Sequence, residues 1–403
     1  MLAMLLLVYI LNFVDRQIIS ILAVPIQKEL AISDGKMGLL GGLAFALFYT
    51  TLAVPIARLA DRWSRTWIIT VSLGLWSGFT ALCGLATNYT QLFLSRLGVG
   101  VGEAGGVAPS YALISDIFPQ TMRARALAIY SLGIPLGSAA GVMFGGWIAQ
   151  TFNWRTAFIA IGLLGVLVAP FFRLVVREPA RPVHLHADAP GFGAVMTTLA
   201  RKPSFWLLSF GGGMNSMVGY GLLFWLPSFL KRSHGLELTQ VGQFYGMILL
   251  VGGVAGVMLG GMLGDRLGRT NRGAYARVPA LAFLVAAPLY ALAIMTPSLT
   301  LAFVLLLLPQ ALSLVWLGPV LTAVQSLVEP RARATASAAF LLINNLIGLG
   351  VGSALIGAIS TAMAARFGDE SLRYAILIVL SFYLVAAALY GLASKRLARD
   401  WVD

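Results

Sequence analysis

Long apolar stretches separated by short polar turns dominate the chain. No Asp, Glu, Lys or Arg occurs between Arg65 and Arg96, between Arg277 and Glu329, or between Arg333 and Arg366. A helix needs roughly 20 apolar residues to cross a hydrocarbon core, so each stretch has room for one crossing or two. Only helices and closed barrels satisfy their backbone polar groups in lipid, and unbroken apolarity excludes the alternation of barrel strands. Turn residues and charges divide the chain into twelve spans. They run over about 2–30, 35–60, 66–87, 90–115, 122–150 and 154–174, then 203–230, 238–264, 274–296, 299–327, 332–363 and 372–395.

One polar stretch interrupts this pattern, residues 175–202, with Pro179, Pro182, Pro190 and the histidines His184 and His186. It reads as a connector between a first bundle, 1–174, and a second, 203–403. Composition agrees with membrane residence: 59% of the 403 residues are hydrophobic and 11% charged, against about 25% charged in soluble domains. Of the 28 Lys and Arg, nineteen fall after spans 2, 4, 6, 8 and 10 or at the C-terminus, seven on the opposite side and two within spans. Basic loops stay in the cytoplasm, so both termini are expected there, and a bacterial cytoplasmic membrane is the expected location. The net charge of +13 is then a topology signal and a match to anionic lipid headgroups. With no soluble domain to carry a basic face, nucleic-acid binding is not expected. Cys83 alone makes no disulfide within the chain and no Cys-rich metal site. No metal and no cofactor are expected. The first apolar stretch is too long and too charged for a cleavable signal peptide, and a short basic segment is expected ahead of Met1.

Self-comparison reveals a repeat. After span 2 the chain reads Ala57-Arg-Leu-Ala-Asp61-Arg62-Trp-Ser-Arg65-Thr66, and after span 8 it reads Gly261-Met-Leu-Gly-Asp265-Arg266-Leu-Gly-Arg269-Thr270. Arg123-Ala-Arg125-Ala, after span 4, matches Arg331-Ala-Arg333-Ala, after span 10. Parallel six-helix halves follow, as in one large class of transporters. The expected fold class is an all-α polytopic membrane protein of twelve helices in two pseudo-symmetric bundles. Charge-assisted bonds among Asp61, Arg62, Arg65, Arg123, Arg125, Asp265, Arg266, Arg269, Arg331 and Arg333 can form a latch on the basic face. They also satisfy the positive-inside rule with no latch at all.

The Asp61/Arg62/Arg65 and Asp265/Arg266/Arg269 segments resemble the signature loops of the major facilitator superfamily. The first copy departs from that pattern at Ala57 and Ser64, where glycines are usual. Arg96-Leu-Gly98-Val-Gly100-Val-Gly102 resembles the family's fourth-helix motif, and Gly133-Ile-Pro135-Leu-Gly137 with Gly141 its fifth-helix motif. The resemblance covers essentially the whole chain and implies a secondary transporter working by alternating access; a functional monomer is expected, and an enzyme is not, since no nucleophile–base set or metal cluster stands in the sequence.

Four charges lie within spans: Asp15 and Arg16 in the first, Arg96 and Glu103 in the fourth. Each costs about 2.5–3.5 kcal/mol at bilayer depth on insertion scales, so they must face a cavity or each other. Arg96 and Glu103 stand seven residues apart, on one helix face and about 10 Å apart along the axis. The repeat places Gly219, Tyr220, Thr300 and Leu307 at the matching positions of the second half, which therefore lacks these charges. Glu103 and Asp15 are the expected proton carriers. Arg16 is the expected ligand for an anionic headgroup, since guanidinium pairs bidentately with phosphate or carboxylate. Arg96 is a further candidate for the headgroup site and is expected chiefly to orient or discharge Glu103.

Asn12-Phe-Val-Asp15-Arg16, Gly102-Glu103-Ala-Gly with Pro109-Ser110-Tyr111, and Ala124 to Ser138 are similar to spinster-like transporters. That resemblance implies a proton-linked carrier of an amphiphilic lipid, a lysophospholipid or sphingoid phosphate. A small organic anion or drug-like substrate is the alternative, since Asp-Arg pairs in the first helix also occur in organic-anion carriers of the superfamily. A receptor or scaffold using the same fold is a third reading. In the second half Tyr220, Trp225, Phe244 and Asn344 are candidates for an apolar cavity wall, although aromatics in membrane helices mostly pack against neighbours or lipid.

Overall fold

The computed structural model describes residues 1–179, 192–268 and 271–402, without the side chains of Val54, Asp61, Gln120, Thr121, Ala124, Asp265 and Ala334. The expected histidine-bearing part of the connector and Arg269 lie outside the described residues. All regular structure among the described residues is helical. Twelve spans are present, and several are broken. Span 1 is Leu2–Ile21 with Ala23–Leu30, span 2 Asp34–Gly41 with Leu43–Arg62, and span 3 Arg65–Cys83. Span 4 is Tyr89–Glu103 with Val107–Ile117, span 5 Gln120–Ser131 with Gly133–Thr151, and span 6 Trp154–Val175. Spans 7 to 9 are Pro203–His234, Leu238–Gly268 and Ala274–Met295; span 10 is Leu299–Leu312 with Leu317–Gln325; spans 11 and 12 are Arg333–Phe367 and Ser371–Asp400.

By length and composition alone, nine stretches of the described residues could cross a membrane, and Thr335–Asp400 among them covers two helices. Spans 4 and 7 fall short of that measure. Span 4 is cut at 104–106 and carries Arg96 and Glu103, and span 7 is diluted by Gly and Ser. The stretch expected to be plain connector contains a further helix, Phe192–Ala200, which buries Val195 and Leu199.

By contact the chain separates into two compact units, one of Met1–Pro182, Leu223–Leu250 and Ser353–Ser371, the other of Val183–Leu222, Val251–Gly352 and Leu372–Asp403. The outer parts of spans 7, 8 and 11 thus cluster with the first six helices. Glycines make those junctions possible. A Cβ on Gly242 would stand 2.6 Å from the Val142 carbonyl oxygen, and one on Gly146 would stand 2.5 Å from that of Leu238, so spans 5 and 8 meet backbone to backbone. Gly38 lies against Ser353 in the same manner, and the Ser353 hydroxyl donates to the Gly38 carbonyl at 2.9 Å. Small residues at such seams replace the missing hydrophobic drive between helices in lipid.

In the second unit a stack of rings, Phe283, Tyr290, Tyr383 and Tyr390, fills the core. The chain end is woven onto it. Lys202 Nζ donates to the carbonyls of Leu327 and Asp400, and the Asp400 carboxylate accepts from the Ser204 amide at 3.0 Å. Trp401 stacks on Tyr275 at 5.5 Å.

Candidate functional site

The break in span 4 determines where the site lies. Glu103 is the last residue of Tyr89–Glu103, before the turn at 104–106. Three glycines let that helix sit unusually deep among its neighbours. A Cβ on Gly100 would reach within 2.5 Å of the Phe45 carbonyl of span 2, and one on Gly102 within 2.5 Å of the Trp76 amide of span 3. Gly98 faces the Phe79 ring. Span 5 packs on span 1 in the same way, with Gly141 beside the Val14 carbonyl. Asp15 and Arg16 of span 1 are thereby carried to the level of Glu103.

Arg16 Nε donates to Glu103 Oε2 at 2.6 Å, with 10% of the Arg16 side chain and none of the Glu103 side chain exposed. The sequence reading set Arg96 against Glu103; in the structure Arg16 makes that contact. Arg96 sits two helical turns from Glu103 on the same face. Its Nη1 donates to the main-chain carbonyl of Asp15 at 3.4 Å, and its charge acts on both the Asp15 and Glu103 carboxylates. Asp15 is 2% exposed and faces Thr80 and Trp76 as well as Arg96. Asn12, also buried, lies beside Glu103. All four charges therefore share one buried cluster inside the first unit.

Aromatic rings surround the cluster. The Arg16 guanidinium lies 4.5 Å from the Tyr49 ring centre, 4.8 Å from Phe45 and 5.1 Å from Phe13. Tyr9 stacks on Tyr130 at 4.3 Å, and Tyr111 meets Tyr130 edge-on. Cations held over ring faces are stabilised by the ring quadrupole. The sequence reading sought an aromatic wall in the second half and missed this one. There, Trp225 is fully buried and its indole N–H donates to the Ser353 carbonyl at 2.8 Å, a packing position. Asn344 is buried and accepts from the Ser216 hydroxyl at 2.9 Å. Tyr220 and Phe244 are half-buried.

At the basic end, Arg65 forms an ion pair with Asp116, a residue the sequence reading did not single out. Arg123 donates to the Ser115 carbonyl at 2.6 Å. Both contacts tie span 4 to its neighbours within the first unit. Arg62, Arg125, Arg266, Arg331 and Arg333 are exposed. The side chains of Asp61 and Asp265, with all of Arg269, lie outside the described residues. Glu178 adds a contact of a different kind. Its carboxylate accepts from the Ser64 hydroxyl and the Thr66 amide at 2.8 and 2.9 Å, capping span 3. Partial burial pushes its pKa up, but the bonds from Thr66, Ser64 and the Arg65 backbone outweigh it and hold it below the usual glutamate range. A depressed carboxylate stabilises the fold above the unfolded-state pKa, and the contribution vanishes as pH falls through the folded value. Glu178→Gln is expected to lower the unfolding temperature at pH 7 by the loss of a cap, about 1 kcal/mol. The difference from wild type should close as pH falls below about 4, which thermal melts in detergent at several pH values check.

At the opposite end the first unit holds a second ionic knot. Asp34, at the start of span 2, receives Arg232 Nη2 and Nη1 at 2.6 and 2.9 Å, Gln27 Nε2 at 2.8 Å and the Ser360 hydroxyl at 2.6 Å. Four spans meet at this one carboxylate.

The Major Facilitator Superfamily model matches residues 5–350. The chain belongs to that family. An MFS-type efflux pump of Mycolicibacterium smegmatis is 36% identical over 98% of this chain and 92% of its own length. Protein spinster homolog 1 of Homo sapiens is 30% identical, with 87% of this chain and 71% of that protein covered. The crystal structure of a bacterial homolog of the human lysosomal transporter Spinster, inward-facing and unoccupied, superposes with a TM-score of 0.90 at 33% identity, covering 100% of this chain and 98% of that one. The chain is thus a spinster-like Major Facilitator transporter, an integral membrane protein and not an enzyme. The Arg16–Glu103 cluster lies inside the part matched by the family model.

Proposed function

We propose that this spinster-like chain moves an amphiphilic lipid with an anionic headgroup, a lysophospholipid or sphingoid phosphate, together with protons. The observation that carries the reading is the buried Arg16–Glu103 pair. Arg16 has the geometry to hold phosphate or carboxylate, yet Glu103 occupies it. Protonating Glu103 removes the charge that holds Arg16 and frees the guanidinium for the headgroup. A proton and an anionic substrate then bind cooperatively, and reciprocity of that coupling makes them travel together. Asp15, beside Arg96, is the second proton carrier, passing the same proton to or from Glu103, and the two arginines balance the two carboxylates when both are ionised. The rings of Tyr9, Tyr49, Tyr111 and Tyr130 next to Arg16 offer apolar surface for the first carbons of the chain. The two sequence halves, 1–174 and 203–403, are proposed to rock during alternating access. The exposed arginines of the basic face, with Asp61 and Asp265, are proposed to close its end, which faces the cytoplasm of a bacterial cell.

A small organic or drug-like substrate is a second reading, favoured by the 36% identity to an efflux pump. Flux into proteoliposomes under an imposed pH gradient separates the two. Uptake of lysolipids that depends on the headgroup is expected, with organic acids competing poorly. Transport of organic acids with no response to lysolipids would replace the first reading by the second, and no flux of either class would end both.

A further inference from the structure

Beside the Asp34 knot lies a cavity of about 550 Å³ that nothing above uses. Its wall includes Lys28, Asp34, Arg232 and Asp369. The size is within the range of small-molecule sites. Two of these charges, Asp34 and Arg232, are tied to each other. The other two, Lys28 and Asp369, are exposed, are opposite in sign and have no ion-pair partner among the described residues. The pocket therefore carries two cations and two anions, one pair closed and one pair open.

We propose that this pocket binds a zwitterionic headgroup, a phosphate joined to an ammonium group, and that binding releases Asp34 from Arg232. A lone anion could draw Arg232 away only by leaving Asp34 unpaired, and a lone cation would strand Arg232. Stranding one member of a partly buried pair is the costly outcome. A zwitterion exchanges both partners at once: its phosphate meets Arg232 and Lys28, and its ammonium meets Asp34 and Asp369. Every charge stays compensated, and phosphate gains a bidentate guanidinium. Because Asp34 also holds Gln27 and Ser360, the exchange loosens spans 1, 2, 7 and 11 at this end. The site stands apart from the Arg16–Glu103 cluster; only its consequence for gating rests on the alternating-access reading.

Ser353 reports the loosening, since it is buried against Gly38 at the seam this knot closes. In the Ser353→Cys protein, alkylation of the new thiol is measured in detergent, the native Cys83 being buried. Phosphoethanolamine should accelerate labelling saturably, whereas inorganic phosphate or ethanolamine alone should not. Lys28→Ala should raise the half-saturating concentration about tenfold, the worth of one charge-assisted contact. A lysolipid with the same headgroup that acts where phosphoethanolamine fails would locate the ligand's source in the membrane. Equal acceleration by phosphate alone, or no response to any of these ligands while Asp34→Asn itself speeds labelling, would overturn the site. The readout is labelling at this seam and not transport, so failure of the membrane-core mechanism leaves this test intact.

Discussion

Glu103→Gln should remove the response of transport to a pH gradient while leaving a protein that still folds and still exchanges substrate. On the proposed mechanism, one proton carried with a monovalent anion would make the wild-type cycle electroneutral, and the pH difference alone would set the accumulation. One pH unit is worth 1.36 kcal/mol, a limiting concentration ratio of about tenfold per proton. Glutamine keeps the shape and an oxygen to accept from Arg16 Nε, but cannot ionise. The guanidinium is then open to an anionic headgroup at every pH, and no proton is released on return. Substrate should equilibrate to a ratio near one under any gradient, and binding affinity should lose its pH dependence. The measurement is accumulation in proteoliposomes at imposed gradients of zero, one and two units, with counterflow as the check that the carrier still cycles. A Glu103→Gln protein that concentrates substrate as well as wild type would remove this carboxylate from the coupling and leave Asp15 as the sole acid of the cluster.

That experiment rests on features the sequence displays openly. Charged residues inside apolar spans are so costly that their positions alone point to a shared polar site, and Asp15, Arg16, Arg96 and Glu103 do share one. The apolar stretches, with the turn residues and charges between them, likewise display the twelve spans. Pairing inside the cluster was not legible. Seven residues place Arg96 and Glu103 on one face, but which arginine reaches the carboxylate depends on how deeply span 4 sinks onto spans 2 and 3 and span 5 onto span 1, set by Gly100, Gly102 and Gly141 against neighbouring backbones and Gly98 against the Phe79 ring. The aromatic surround of Arg16 was missed for a related reason. Tyr9, Phe13, Phe45 and Tyr49 sit in apolar windows where a ring facing lipid and a ring facing a cation look the same. Asp34 and Arg232 are 198 residues apart, near span ends read as turns, and no repeat register pairs them.

The second large effect separates stability from function at the same pair. Arg16→Met alone should leave a stranded carboxylate at Glu103, whose side chain has no exposed surface. Breaking a buried pair from one side typically costs about 3–5 kcal/mol, whereas replacing both members with neutral groups of similar volume is often neutral or stabilising. The single variant should therefore melt well below wild type in detergent, most severely at high pH, where Glu103 is least able to escape by taking a proton. Arg16→Met combined with Glu103→Gln should recover the melting temperature and lose that pH dependence. Neither protein should move substrate, because the headgroup ligand is gone from both. If the double variant regains stability and also transports, the pair is scaffold and the headgroup binds elsewhere. If Arg16→Met melts like wild type at every pH, the guanidinium and Glu103 are not bonded in the resting protein, and the proton cannot act by releasing one from the other.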